Sequence, residues 1–314
     1  MIRLITNRLL LAIPLVFVVS ILVFLMVHAI PGSAAMLILD AGATPENIAA
    51  LEAEMGLDDP LVVQYVRWLR GAFQGDFGNS LWQPIPVSTL IWESLPVTGS
   101  IVLGGMIIGI LLGLVLGIIA GLQPGTFLDR GSTVGASIGV ALPPFWLAIM
   151  FSLWFGVQLK WFPTIGYTPL TENPLEWLRS ITLASVALGI PSAALIARQM
   201  RSSMANVLQS SYIRAARAMG IPRWQVISSY ALKNAMIPVI TAIGFRLAVV
   251  IGSAFVVEFV FNLPGAGRLL AIGVIRQDIF LVQGGVMIIA IIIVLFNLFI
   301  DITYGWLNPK VRIT

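Results

Sequence analysis

Long apolar stretches with almost no charge constrain this sequence more than any other feature. A helix needs about 20 apolar residues to cross the hydrocarbon core of a bilayer, and six stretches qualify. They cover roughly residues 9–30, 97–121, 133–157, 181–197, 236–257 and 284–306. Charged residues make up 10% of the 314 residues, against about 25% in a soluble domain. This is too few charged side chains to cover the surface of a protein that is surrounded by water. The sequence therefore predicts an all-α polytopic membrane protein with six transmembrane helices, and it excludes a soluble enzyme and a nucleic-acid binder.

The distribution of lysine and arginine predicts the orientation of these helices. Eleven bases fall on one side of a six-helix arrangement and six on the other, which also holds twelve of the fourteen acids. Because basic loops stay in the cytoplasm, both termini are expected there. The whole chain, 1–314, is expected to be one transmembrane domain. Its parts are a cytoplasmic N-terminus at 1–8, an external loop at 31–96, a cytoplasmic loop at 198–235 and a cytoplasmic tail at 307–314.

The local pattern predicts further detail. The first apolar run is longer than a usual signal core, so a retained helix is expected. In the external loop, residues 46–56 and 60–73 are expected to form amphipathic helices, the second capped by Asp58 or Asp59.

Glycines and prolines predict how the spans pack and where they break. The second span has glycine at every fourth position, which makes one stripe that another helix can approach closely. These glycines are Gly105, Gly109, Gly113, Gly117 and Gly121. Pro143 and Pro144 are expected to break the third span, and Pro238 is expected to lie at the start of the fifth.

Ionisable residues inside spans are candidate functional residues. Arg246 lies near the middle of the fifth span. An unpaired arginine in lipid costs about 3 kcal/mol on insertion scales, so Arg246 should face the bundle, a translocation pathway or a partner. A static hydrogen bond to a backbone carbonyl is the alternative. Glu258 and Asp301 lie near the ends of spans and are expected to be solvated or structural. His28 is expected to be a polar cap near the outer surface. With one histidine and no cysteine, no catalytic residue and no metal site is predicted.

The segment 200–238 is too polar to span a membrane and has a regular pattern. Helical spacing runs from Met204 to Met219, Gly220 predicts a stop, and a second amphipathic helix begins near Arg223. Trp224, Ile227 and Ala231 are expected on the apolar face of that second helix. The sequence therefore predicts a helix–glycine–helix elbow exposed to the cytoplasm, surrounded by arginines, in which small Ala215 and Ala216 permit close contact with another surface.

The elbow resembles the EAA loop of the permease subunits of ABC importers. The segment reads Tyr212-Ile213-Arg214-Ala215-Ala216-Arg217-Ala218-Met219-Gly220. Ala215, Ala216 and Gly220 match the general pattern, whereas Arg214 replaces its glutamate, as in the peptide/nickel branch of the family. Segments 56–61, 75–78, 264–270 and 308–312 are also similar to that branch. The chain is identified as a member of the dipeptide/oligopeptide/nickel permeases, closest to the first of the two permease subunits.

The resemblance implies a type I ABC importer permease fold whose coupling helix lies in the elbow, 210–225, between helices 4 and 5. It implies half of a heterodimeric pore, completed by a second homologous permease, two ABC ATPase subunits and an external solute-binding protein, in a bacterial or archaeal cytoplasmic membrane and in contact with lipid. The residues implied to couple to the ATPase are Tyr212, Arg214, Ala215, Ala216, Arg217 and Gly220, and Arg246 is the candidate for the pathway. The chain has no Gly-x-x-x-x-Gly-Lys-[Ser/Thr] loop, so it is expected to be non-catalytic and to bind no cofactor, with ATP and Mg on the partner ATPases.

Small peptides are the expected solutes, and nickel or glutathione are alternatives within the family. An ion-coupled secondary transporter would need intramembrane carboxylates or a proton relay. Helices one to five have none in their middles, and no inverted repeat is evident in the sequence. An intramembrane hydrolase would have to rely on His28 as its base. A membrane assembly factor without transport activity is a further alternative, which association with an ATPase subunit would exclude.

Overall fold

The computed structural model describes the backbone of residues 2–29, 39 and 44–307. Within those ranges the chain is helical, with one isolated bridge between Asn79 and Pro86. The helices are α1 (Ile2–His28), α2 (Pro45–Met55), α3 (Leu61–Phe73), α4 (Val87–Leu122), α5 (Phe127–Ala141), α6 (Pro144–Gln158), α7 (Pro174–Leu208), α8 (Ser211–Ala218), α9 (Arg223–Val260), α10 (Ala266–Ile275) and α11 (Ile279–Leu307). Part of the predicted external loop, the tail motif 308–312, and the side chains of 1–8 and Asp301 lie outside the described residues. The predicted all-α class is confirmed.

Among the residues that the structure describes, five helices are long and apolar enough to cross a membrane. The qualifying segments are Leu10–His28, Val87–Leu122, Pro174–Leu208, Arg223–Val260 and Ile279–Phe299. The third predicted span is a pair of helices, α5 and α6, which meet at an angle of 95°. Pro144 occupies the first turn of α6; proline has no N–H and also restricts the residue before it, so one straight helix cannot pass through this point.

The chain folds as two compact units, one built on residues 97–264 and the other on 5–96 and 265–298. In the first unit, α4 and α7 pack in parallel: Gly105 faces Leu188 near one end and Gly121 faces Met204 near the other. At the beginning of this pair the indole Nε1 of Trp177 donates to Ser100 Oγ at 3.2 Å. From Ser100 to Gly121, α4 rises about 32 Å at 1.5 Å per residue. Because α7 runs in the same direction as α4, the chain must cross back over that distance before α7 begins. The pair α5 and α6 makes this crossing, which brings the total to six.

The glycine stripe of α4 is the surface that contacts α7. A Cβ atom on Gly113 would lie 2.7 Å from Ile196 Cβ and 2.9 Å from the carbonyl oxygen of Ala193. On Gly117 it would lie 2.7 Å from the carbonyl oxygen of Ala197. No side chain fits at such distances, so the predicted close packing of the stripe is confirmed.

The second unit holds the short helices of the predicted external loop. Their bounds agree with the predicted ones to within one residue. The hydroxyls of Tyr65 on α3 and Ser20 on α1 lie 2.7 Å apart, and the rings of Tyr65 and Phe24 pack edge to face with centroids separated by 5.3 Å. Pro60 occupies the N-cap of α3 without a side-chain hydrogen bond. The predicted aspartate cap is therefore wrong, because the Asp59 carboxylate instead pairs with Arg67.

Candidate functional site

The predicted elbow is present as a short helix between two long ones. α7 ends at Leu208, α8 spans eight residues, and the chain reverses at Gly220, whose φ of +75° favours glycine. Pro222 precedes the start of α9. The predicted stop and restart are confirmed. The continuous helical run expected up to Met219 is wrong at Ser210, which has extended backbone at the N-cap of α8.

One face of α8 packs against the protein itself. Ile213 and Ala216 are 0% and 1% exposed within an apolar cluster. The cluster also contains Met200 and Met204 of α7 and Val226, Ala231, Ala235 and Val239 of α9. Ala216 therefore anchors the elbow to the two long helices, and the structure does not support the expectation that it contacts another surface.

The opposite face of the elbow is exposed and basic. Tyr212 is 42% exposed, and Ala215, Arg214 and Arg217 are exposed on the same short helix. Residues 198–235 contain no acid, and in the described chain none of the exposed arginines of α8 forms an ion pair.

Two large apolar side chains of this surface were not predicted. Met219 is 73% exposed, directly before the turn at Gly220. Trp224 is 70% exposed, although the sequence pattern placed it on the apolar face of the second helix. Val226 and the predicted Ala231 are buried there. The sequence contains one signal for the exposure of Trp224. This residue lies in the first turn of its helix, where the apolar pattern is still too short to define a buried face.

A partly buried ion pair joins two helices near the elbow. The guanidinium of Arg201 on α7 binds the Asp129 carboxylate through Nε and Nη2, the latter at 2.8 Å. Asp129 is 3% exposed and also accepts from the Gly125 amide at 2.8 Å. Arg201 therefore joins α7 to the start of α5 and does not belong to the exposed basic surface. The sequence signal for this pair was Asp129 itself, one of the two acids on the side that carries eleven of the bases.

Arg246 lies on α9 and contacts α7. Its Nε donates to Ser192 Oγ at 3.1 Å, and that fully buried hydroxyl donates to the Leu188 carbonyl at 2.9 Å. Arg246 is half-buried, and it has no carboxylate partner in the ranges described. Arg246 therefore does form a static hydrogen bond, but the acceptor is a serine hydroxyl and not the expected backbone carbonyl. Pro238 lies inside α9 and not at its start, because the helix begins at Arg223.

Glu258 is fully buried near the end of α9. The hydroxyl of Thr98 donates to its Oε1 at 2.5 Å. Glu258 was expected to be either solvated or structural. It is buried and hydrogen-bonded, so the structural expectation is confirmed and the expectation of solvation is wrong. Across the described residues, no group of three or more His, Asp or Glu side chains is placed to hold a metal ion.

Comparison with protein families gives the identity of this fold. Residues 113–313 match the family described as binding-protein-dependent transport system inner membrane component. Residues 1–102 match its N-terminal counterpart. The chain belongs to this family. It is a permease component of an ABC transport system, and the resemblance first seen in the elbow is confirmed.

Several relatives align over the whole permease. It is 39% identical over 312 residues to a peptide transport system permease protein of Brucella abortus, covering 99% of both chains. It is 34% identical to a dipeptide transport system permease protein of Alkalihalophilus pseudofirmus and 37% identical to a glutathione transport system permease protein of Salmonella paratyphi A, covering 98% and 99% of the chains.

A solved structure shows the same fold. A crystallised amino acid ABC transporter superposes with a TM-score of 0.51 over 71% of this chain and 94% of that chain. The sequence identity is 16%, so this likeness concerns the fold alone.

Proposed function

We propose that this permease is one half of a heterodimeric pore that imports di- and oligopeptides. A homologous permease forms the other half, two ABC ATPase subunits bind ATP and Mg on the cytoplasmic side, and an external solute-binding protein delivers the peptide. Both termini lie in the cytoplasm of a bacterial or archaeal cell. The chain itself is non-catalytic. The peptide and dipeptide permeases among its full-length relatives support this substrate class.

The observation that carries the coupling role is the two-faced elbow. Ile213 and Ala216 hold α8 in the apolar cluster, while Tyr212, Ala215, Arg214 and Arg217 remain exposed. An apolar patch surrounded by positive charge suits a groove with apolar walls and an acidic rim. In this proposal the elbow docks into such a groove on the ATPase subunit, and Gly220 permits the sharp turn that presents it.

The anchoring of α8 suggests how closure of the ATPases reaches the pore. Interior packing is dense and transmits displacement with little compression. Because α8 shares one buried cluster with α7 and α9, movement of the elbow displaces the adjoining ends of both helices. The Arg246–Ser192 contact joins the same two helices. ATP-driven closure then opens the pore to the binding protein, and hydrolysis resets it, which is alternating access.

The coupling role is tested with the complete importer reconstituted in proteoliposomes. Arg217→Glu reverses the charge of the exposed face without touching the buried cluster, so peptide uptake and its coupling to ATP hydrolysis should be lost while membrane insertion persists. Lys160→Glu makes the same charge change at an exposed base after α6 and should transport normally. Wild-type uptake by the Arg217→Glu importer would contradict the coupling role.

The same uptake assay separates the substrate candidates. Glutathione is the specific alternative, because a glutathione permease is 37% identical over nearly the whole chain; nickel is the other family alternative. Unlabelled dipeptides should compete with uptake of a labelled dipeptide, whereas glutathione and Ni²⁺ should not. Uptake of labelled glutathione or nickel, without peptide uptake, would reject the peptide assignment.

A further inference from the structure

An apolar groove of about 500 Å³ lies among α4, α5 and α7, within the unit built on residues 97–264. Every residue of its lining is apolar or glycine, with the exception of Ser132. None of these residues belongs to the elbow or to the Arg246 contact. The proposed coupling function therefore leaves the groove unused.

The groove has a floor of small side chains and an open mouth. Ala136 and Ala197 on the floor are 7% and 3% exposed, whereas Phe127 at the beginning of α5 is 88% exposed. A Cβ atom on Gly131 or on Gly135 would meet nothing within 4 Å, so no side chain of the described chain fills the space beside α5. In a bundle that spans a membrane, such an open apolar groove faces lipid.

The length of the groove matches one leaflet of a bilayer, because α5 meets α7 at both of its ends. A Cβ atom on Gly139 would lie 2.8 Å from Ala194 Cβ at one end, and Asp129 binds Arg201 at the other. Between Leu128 and Gly139, α5 rises about 16 Å at 1.5 Å per residue. This is about half of the 30 Å thickness of the hydrocarbon core.

Two arginines give the Asp129 end of the groove a positive charge. Arg130 directly follows Asp129, and Arg198 lies one helical turn beyond the lining residue Ala194, on the same face of α7. Both arginines are exposed, and neither forms an ion pair with another described residue. The Asp129 carboxylate cannot compensate them, because it is already bound by Arg201.

The size of the groove favours an acyl chain over a helix of another subunit. A helix about 10 Å wide would occupy about 1,250 Å³ over a length of 16 Å, which is more than twice the volume of the groove. An acyl chain is thinner and flexible, so it can follow a narrow groove. Basic pockets between transmembrane helices are also suited to anionic lipid head groups.

We propose that this groove binds an anionic phospholipid. One acyl chain lies along α4, α5 and α7, and the phosphate lies at the end where Arg130 and Arg198 are exposed. Arginine and phosphate form charge-assisted hydrogen bonds, which are stronger than those between neutral groups. A phospholipid with a net neutral head group fills the same apolar space but gains less from the two arginines, so the site selects for the head group.

Native mass spectrometry of the purified permease, together with the subunits that co-purify with it, tests this proposal. After delipidation, phosphatidylglycerol and phosphatidylcholine with identical acyl chains are titrated separately. The first phosphatidylglycerol should bind at least ten-fold more tightly than the first phosphatidylcholine. Glycerol 3-phosphate, which has a phosphate and no acyl chain, should not compete. Equal affinity for the two lipids, or displacement of the lipid by glycerol 3-phosphate, would overturn the proposal.

Variants separate the head-group contact from the acyl-chain contact. The double variant Arg130→Gln with Arg198→Gln should weaken phosphatidylglycerol binding about ten-fold and leave phosphatidylcholine binding unchanged. Gly135→Leu fills the groove and should weaken the binding of both lipids. Arg70→Gln, at an exposed arginine outside the lining, and Gly252→Leu, at an exposed glycine of α9, are the matched controls and should bind both lipids normally. Unchanged affinities in both groove variants would contradict the assignment.

The same spectra detect the competing occupant of the groove. If a helix of a second permease filled it, Gly135→Leu would separate the two permeases, and the double arginine variant would bind phosphatidylglycerol as the wild type does. That combination would overturn the lipid assignment. Lipid binding is measured without ATP and without transport, so the result is independent of the proposed import function.

Discussion

Arg246 and Ser192 connect the middles of α9 and α7 through one hydrogen bond. If Arg246 contributes to the pathway, Arg246→Ala should lower peptide uptake by about ten-fold, the effect of about 1.4 kcal/mol on a rate-determining barrier. Ser192→Ala removes the hydrogen-bond acceptor and keeps the charge, so it should lower uptake much less. Uptake kinetics in proteoliposomes measure both, and co-purification with the ATPase subunits controls for assembly.

The double variant with Arg246→Ala and Ser192→Ala tests whether Arg246 acts in the translocation pathway or only holds α9 against α7. Residues that act only through their mutual contact show strongly non-additive effects. Equal losses for Arg246→Ala and Ser192→Ala, with no further loss in the double variant, would mean that Arg246 serves the static hydrogen bond alone. Unchanged uptake in Arg246→Ala would also reject the pathway role.

Some residue-level features were predictable because they depend on local backbone chemistry. Gly220 permits the positive φ of its turn and the ring of Pro222 fixes φ two residues later, and no distant residue changes either property. The inward side of α8 was not predictable, because burial of Ala216 and exposure of Ala215 depend on where α7 and α9 lie.

Among the helices, the α4–α7 contact gives the clearest stability prediction. In Gly113→Ala the new Cβ would lie 2.7 Å from Ile196 Cβ, so α7 must move away and packing contacts are lost. Overpacking of this kind destabilises by about 1–3 kcal/mol. The thermal midpoint of the purified complex should therefore fall.

Gly99→Ala is the matched control on the same helix. A Cβ atom there meets nothing within 4 Å, so only the higher helix propensity of alanine acts and the midpoint should stay or rise. A midpoint that falls equally in both variants would mean that the glycine stripe is not a close-packing surface.

The bounds of the long helices were not predictable from hydropathy alone. The fourth apolar stretch was predicted at 181–197, whereas α7 extends from Pro174 to Leu208. Hydropathy detects the hydrocarbon core, but the backbone hydrogen bonds of a helix continue into water beyond it. Pro143 and Pro144 likewise predicted a break, but not its angle of 95°, which follows from the tertiary packing of α5 and α6.

For the molecule as a whole, the decisive property is the number of times the chain crosses the membrane. α4 and α7 are parallel, so the bent α5–α6 pair must cross, and its two flanking segments must face opposite sides. The chain has no cysteine, so Gln123→Cys and Glu172→Cys, both at exposed positions, each introduce a single reporter thiol. In intact cells a membrane-impermeant maleimide should label the residue-172 thiol and leave the residue-123 thiol unlabelled.

The elbow provides an internal reference for this labelling. Trp224→Cys places a thiol on its exposed surface, and both this thiol and the one at position 123 should react only after the cells are permeabilised. Because basic segments stay in the cytoplasm, the acid-free elbow and the residue-123 loop belong to one side. Labelling of positions 123 and 172 from the same side would make α5–α6 a re-entrant pair, reduce the crossings to five and place the two termini on opposite sides of the membrane.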